Sequence, residues 1–178
     1  MLRKVEVVPH SPGWAAGFRE VADRLRAVLG DEVIAVHHIG STAIPGISAK
    51  PIIDVLLEAR EVERLDDFVP EMARLGYEAR GEFGIPGRRF FVKNARSRRT
   101  HHIHAFTTGS LGLERHLAFR DYMISHPEKA EAYSRLKERL AQQFPTDIEA
   151  YMDGKDPFIK EMERRAMAWS RAHDPPET

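Results

Sequence analysis

Apolar residues in the first thirty positions recur at alternating spacings of four and three: Trp14, Phe18, Val21, Leu25 and Val28. That period predicts one helix with one buried stripe. Ser11-Pro12 supplies an N-cap and a first-turn proline, and Gly30 ends the run. The period then changes. Val33 to Ile39 reads as a strand, and Gly40 to Pro51 as a small-residue loop holding a turn of helix. Pro51 to Glu58 is mostly apolar and β-branched, a strand of the kind buried on both faces. Val62, Leu65, Phe68/Val69, Met72 and Leu75 predict a second helix, ended at Gly76. Tyr77 to Phe83 is a weak strand, and Gly84-Ile85-Pro86-Gly87 places proline and glycine in type II order. Arg88–Lys93 and Thr100–Thr107 predict strands that pair across the basic loop 94–99.

From there on the pattern is helical. Leu113 to Ser125 predicts one helix. Ser125 is expected to cap the next, with Pro127 in its first turn and Glu128 completing a capping box, and that helix runs to about Phe144. Thr146 with Glu149 repeats the device. Gly154 is expected to break the run, Asp156-Pro157 to restart it, and Met162, Ala166 and Trp169 form a last stripe. The tail after His173 is polar and proline-rich and is expected to fray. The order predicts an α+β fold: a mixed β-sheet packed by helices, with a helical C-terminal half. One domain over 1–178 is expected, its sheet-bearing part about 1–110 and its helical part about 111–172.

Composition narrows the classes of function. A chain of 178 residues buries roughly 70% of its unfolded surface without staples. Cysteine is absent, which removes disulfides, thiolate ligands and thiol nucleophiles and fits a reducing compartment. Met1–Trp14 has no long apolar stretch, and no segment nears the roughly 20 apolar residues of a membrane span. A soluble, cytoplasmic protein with no membrane partner is expected. Lys+Arg and Asp+Glu balance at 27 each, which argues against nucleic acid as a partner. Charge is nevertheless uneven: Arg88, Arg89, Lys93, Arg96, Arg98 and Arg99 fall in one stretch without an acid.

The candidate chemistry centres on Gly40-Ser41-Thr42 and Asp54. A strand, a small-residue loop and a second strand bearing a carboxylate form one way to hold a nucleoside triphosphate. The loop offers backbone N–H groups and hydroxyls to phosphate, and the acid holds a metal. Ile52, Asp54, Leu56 and Glu58 share a strand face. An acid in a buried strand is costly unless it is paired or bound to metal; the structural alternative is a carboxylate paired with Lys50 or an arginine. Glu58 lies about 13 Å along the strand from Asp54, too far to share an ion. His102 and His104 alternate onto one face with Cα atoms about 6.6 Å apart, close enough to converge on one metal or one phosphate. His37 and His38 stand just before Gly40. Arg120 shares helical spacing with Leu113, Leu117 and Ile124, and Lys137 falls between Tyr133 and Leu140. Such cations snorkel, pair with an acid such as Asp121, or reach an anionic ligand. Arg88 and Arg89 project from opposite strand faces, so one of them should reach any site on the sheet. The loop Arg96–Arg99 reads as a solvated charge run, and Phe90 and Phe91 as core.

The segment from His38 to Asp54, read with His102-Ile-His104, Phe119-Arg-Asp-Tyr-Met123, His126-Pro127, Tyr133, Leu136-Lys137, Tyr151 and Lys155, resembles the GrpB-like family. That family is similar in fold to the polymerase-β-type nucleotidyltransferases and is also found fused to dephospho-coenzyme A kinase. The resemblance implies nucleotidyl transfer from a nucleoside triphosphate to a small acceptor. It implies Gly40, Ser41 and Thr42 on phosphate, Asp54 on a divalent metal, and His102 and His104 completing that shell. His38, Lys50, Arg89, Arg120 and Lys137 are further candidate phosphate partners. Those enzymes bind two metals with an acid-x-acid pair and a third acid on a later strand. Here Ile52 stands at the first acid, and His102 and His104 stand on the later strand. Two magnesium ions want carboxylate oxygens, whereas one carboxylate with two imidazoles suits a single softer ion such as Zn²⁺, Mn²⁺ or Fe²⁺. Alternatively, imidazolium forms bind phosphate with no metal. A non-catalytic nucleotide- or phosphate-binding module remains the other reading.

Overall fold

The apolar stripes assemble a mixed five-stranded sheet with helices on both faces. The structure, a computed structural model, describes residues 4–173. The helix α1 (Gly13–Leu29) buries Trp14, Val21 and Leu25 of the four-three stripe and half-buries Phe18 and Val28, while Leu29, outside that stripe, is buried beside them. β1 (Val33–Ile39) and β2 (Ile53–Ala59) follow, separated by a single 3-10 turn at Ser41–Ala43 and loop. After β2 come a 3-10 segment at Val62–Phe68 and the short α2 (Val69–Arg74). The expected second helix is thus only half α-helical. Pro70 has no N–H to give, so it sits in the first turn of α2 and ends the 3-10 segment before it.

β3 (Tyr77–Ala79), β4 (Arg88–Ala95) and β5 (Arg98–Thr107) complete the sheet in the order β1-β2-β5-β4-β3. β2 and β5 run parallel, and the other pairs are antiparallel. The turn before β4 is as expected: Gly87 takes φ +77, and Arg88 N–H donates to Ile85 O at 3.2 Å. β4 and β5 extend further than the sequence suggests. They close on Arg96-Ser97, both at positive φ, as a two-residue turn matched to strand twist requires.

One sheet face, bearing Val36, Ile53, Val55, Leu57, Ile103, Ala105 and Phe91, packs against α1, the 3-10 segment and α2. The other carries Ile39, Leu56 and Phe106 against Leu113. α3 (Leu111–Ser125), α4 (Pro127–Gln143) and α5 (Ile148–His173) lie on that side. Their core joins Tyr122, Met123, Tyr133, Met162 and Ala166 to Ile44 and Ile47 of the loop.

Four helix boundaries depart from expectation. At α1 the N-cap is Pro12 rather than Ser11, although Gly13 N–H donates to Ser11 Oγ at 3.2 Å. His126, not Ser125, is the N-cap of α4, and no side-chain cap bond forms there. Ser125 remains the last residue of α3, so its backbone cannot open the next helix. At α5, Asp147 Oδ1 accepts from Ala150 N–H at 3.0 Å in place of the expected Thr146 cap. Gly154 does not break the chain: α5 is continuous through Gly154 and Pro157. Space explains that glycine. A Cβ on Gly154 would lie 2.5 Å from Leu140 Cδ2, so the residue lets α5 close on α4. The polar tail expected to fray after His173 lies outside the described residues. Among the described residues no helix is long and apolar enough to cross a membrane.

Candidate functional site

The parallel pairing of β2 with β5 sets Asp54 opposite His102 and Leu56 opposite His104. Side-chain alternation then turns Asp54, His102 and His104 to one face, with Ile39 of β1 beside them. His102 Nδ1 donates to Asp54 Oδ1 at 3.0 Å, and His104 Nε2 lies 3.6 Å from the same oxygen. Burial alone raises the Asp54 carboxyl, but the hydrogen bonds from His102 and His104 prevail and hold it well below the usual carboxylate range. The carboxylate is therefore charged at neutral pH.

Gly40 makes that placement possible. It has φ +70 and ψ −172, and a Cβ there would stand 2.7 Å from Asp54 Oδ2. The loop backbone approaches the acid as closely as it does because no side chain intervenes.

A cleft of about 160 Å³ opens beside Asp54, its walls drawn from the loop, the sheet and α3–α5. Gly40 and His104 line one side; Arg115, His116 and Phe119 of α3, Tyr133 of α4 and Glu163 of α5 line the others. His116 Nδ1 donates to Gly112 O at 2.7 Å, and burial lowers this imidazole to about 4, so it is neutral. Lys155 of α5 lies within electrostatic reach of Asp54; burial lowers its ammonium, while the Asp54 charge works against that.

Two guanidiniums back the histidines. Arg99 Nη1 donates to His102 Nε2 at 3.3 Å, and Arg88 Nη1 donates to His104 Nδ1 at 3.4 Å. A guanidinium can only donate, so each of these ring nitrogens is an acceptor. The ring protons are therefore on His102 Nδ1 and His104 Nε2, both toward Asp54.

This bears on metal. One ligand atom from each of Asp54, His102 and His104 lies within 4.8 Å of the other two, which suits a single ion. The set does not suit two hard ions, since Ile52 offers no oxygen and β5 carries no acid at the site. Histidines that ligate a metal usually donate their outer N–H to a carboxylate or carbonyl. Here the outer nitrogens meet guanidiniums, so an ion at Asp54 needs Arg88 and Arg99 to turn aside.

Several expected phosphate partners fall elsewhere. Arg89 is a correction. Its side chain leaves by the face opposite Asp54 and forms a two-point pair with Asp66, Nε to Oδ1 at 2.7 Å and Nη2 to Oδ2 at 2.9 Å. Arg88 is the arginine on the site face, because β4 residues opposite His104 and Phe106 share their side. His38 is a second correction: strand alternation turns it behind the loop, where it stacks on Phe18 at 4.8 Å. Burial lowers it to about 4. Its Nε2 lies 2.9 Å from the buried Thr42 hydroxyl, so the Thr42 side chain secures the loop from behind.

Ser41 is in contact with Tyr133 at the cleft wall. Arg120 pairs with Asp121 at 2.7 Å and donates to His38 O at 3.4 Å, at the end of β1. Its expected apolar companion Ile124 is exposed. Lys137 is almost fully buried and donates to Ser48 O, with its ammonium 4.4 Å from the Tyr133 ring centre. It holds the loop rather than facing the cleft. Lys50 and Lys155 sit 4.6 and 5.0 Å from the Tyr151 ring centre.

Arg99, Arg115, His116, Tyr133 and Lys155 were not among the expected site residues, and Arg88 was expected only as the alternative to Arg89. Lys155 had a legible signal, since it stands four after Tyr151 on the buried stripe that continues through Ile159 and Met162. Arg99 belongs to the loop read as a solvated run, yet it bonds Asn94 Oδ1 at 2.9 Å as well as His102.

The profile of the GrpB protein family matches residues 4–165. UPF0157 protein YqkA of Bacillus subtilis is 46% identical over 172 residues, 97% of this chain and 50% of that protein. The chain thus spans half the length of that relative. A dephospho-CoA kinase of Mycolicibacterium paratuberculosis is 26% identical over 190 residues, covering 93% of this chain and 47% of that one. The crystal structure of conserved protein GrpB from Enterococcus faecalis superposes with a TM-score of 0.88 at 41% identity, covering 92% of this chain and 98% of that one.

Proposed function

This chain belongs to the GrpB family, and on that premise we propose that it binds a nucleoside triphosphate in the cleft over Asp54 and transfers the nucleotidyl group to a small acceptor. One observation carries the reading. The Asp54 carboxylate lies beneath a glycine loop, with Arg88, Arg99, Arg115 and Lys155 brought around it from β4, β5, α3 and α5 and with Glu163 as the one further acid on the cleft wall. Such a cation excess, set in a partly dry cleft, is a site for a polyanion. The acceptor oxygen attacks the α-phosphorus and pyrophosphate leaves. Gly40 and Ser41 edge the phosphates, the arginines and Lys155 hold their charge, and His102 and His104 keep Asp54 ionised and in place. The dephospho-CoA kinase relative agrees with nucleotide chemistry nearby.

A melting scan tests binding. A nucleoside triphosphate at about 100-fold excess over Kd stabilises by about 2.7 kcal/mol, and for a chain of this length that raises Tm by roughly 5–10 °C. Turnover is read as pyrophosphate release and is expected to vanish in Asp54→Asn. No thermal shift with any nucleotide overturns the binding; release unchanged in Asp54→Asn overturns the chemistry.

A second reading rests on the convergence of Asp54, His102 and His104. In it one transition ion sits at these three side chains in a hydrolytic or related enzyme. Bound there, the ion would polarise a substrate oxygen. Elemental analysis of purified protein is expected to find zinc, manganese or iron at one per chain, lost in His102→Ala. Protein free of these metals rules this reading out and leaves the first standing.

A further inference from the structure

Resting on the nucleotide reading above, we infer that Phe83 is the platform on which the nucleobase stacks. Phe83 is the most conspicuous misfit on the surface near the site. The residue is 62% exposed, and its backbone holds φ +47, a left-handed conformation that bulky residues rarely adopt. Strain of this kind concentrates at ligand clamps. The ring stacks on Phe90 at 5.4 Å between centres and otherwise stands largely in solvent.

The segment around Phe83 is nonetheless held firmly. Arg88, buried and lying over the Phe90 ring, donates Nη2 to Phe83 O at 2.8 Å and Nε to Glu82 O at 3.1 Å. Glu82 Oε1 accepts from Gly87 N–H at 2.8 Å. The third arm of Arg88 reaches His104. One guanidinium therefore fixes both the loop that presents Phe83 and the histidine beside Asp54.

The distances fit a mononucleotide. Phe90 lies 5.4 Å from His102 and 5.0 Å from His104 between ring centres, and Phe83 stacks on Phe90 from the outside. Phe83 thus stands two ring contacts away from the residues that flank Asp54, and it is largely exposed. A ligand with its phosphates at Asp54 and its sugar passing outside the buried Phe90 and Arg88 brings its base against the exposed Phe83 ring. Stacking tolerates any base, because every base has a π-face, and favours the larger purines.

Titration calorimetry with the full chain tests this, using ATP, CTP and inorganic triphosphate as separate ligands. Phe83→Ala is expected to weaken ATP by about 5- to 100-fold, CTP by less, and inorganic triphosphate not at all. Phe83→Trp is expected to keep ATP affinity at or above that of the parent protein. ATP affinity unchanged in Phe83→Ala, or an equal loss for inorganic triphosphate, overturns the inference while the nucleotide site stands. If the parent protein binds inorganic triphosphate but no nucleotide more tightly, the stacking role also falls. If it binds none of the three ligands, the nucleotide reading falls and takes this inference with it.

Discussion

Gly40→Ala is expected to unfold at a markedly lower temperature than Gly46→Ala and to lose ligand-induced stabilisation altogether. Both glycines hold positive φ, +70 and +78, in the same loop. They differ in what a methyl group meets. At Gly46 a Cβ finds nothing within 4 Å, whereas at Gly40 it lands 2.7 Å from Asp54 Oδ2 and 3.0 Å from Asp54 Cβ. Gly46→Ala therefore reports the backbone penalty alone, about 1–2 kcal/mol. Gly40→Ala carries a backbone penalty of order 1–3 kcal/mol, since φ +70 with ψ −172 is nearly glycine-only space. It also pushes the carboxylate from its histidines, and displacing a charge that accepts such bonds costs about 1.5–3 kcal/mol more. A total near 4 kcal/mol lowers Tm by roughly 10 °C in a chain of this size. The measurement is a pair of melting curves for each variant, with and without nucleotide. Equal Tm values for the two variants would show that the close approach to Asp54 carries no energy.

The hydrophobic period told much of the fold because each stripe has one solution. The four-three spacing from Trp14 to Val28 can only bury one side of a helix, and α1 buries that side. β2 was legible as doubly covered from its run of β-branched residues, and its odd positions are all buried. Helix ends were less legible. A serine followed by proline and glutamate looks like a capping box, but Ser125 is already committed to α3. Gly154 looks like a breaker until α4 is known to lie against it.

The site was half legible for a related reason. Asp54, His102 and His104 sit on two strands, and period-two alternation fixes their common face once the strands pair. Which arginine joins them depends on the β4–β5 register, and the tandem Arg88-Arg89 offers no hint of it. Arg89 would have needed a partner assignment across 23 residues to be seen pairing with Asp66. Arg99 and Lys155 arrive from a hairpin and a distant helix, so only the assembled fold brings them to Asp54.

The second large effect is a pH dependence seated at Lys137. This lysine is 2% exposed, and its ammonium is lowered from 10.5 to about 7, first by burial and then by the Lys155 charge, with Glu138 opposing. In the unfolded chain the same group stays protonated to about 10.4. Between these values the unfolded state binds one proton more than the native state, so stability rises with pH. The penalty is fully present below about pH 7 and is relieved as pH climbs toward 10. Three pH units at about 1.36 kcal/mol each make this about 4 kcal/mol. Above pH 10 buried Tyr133, raised to about 12 by burial, acts in the opposite sense, which sets the upper limit of the window. Lys137→Met removes the titrating group. It also removes the donor to Ser48 O, a loss of about 1–3 kcal/mol that does not vary with pH. Urea unfolding at pH 7, 8, 9 and 10 is expected to show the parent protein gaining about 4 kcal/mol relative to Lys137→Met across the range. Parallel stability curves for the two proteins would mean that Lys137 keeps its proton inside the fold, held by the Ser48 carbonyl and the face of Tyr133.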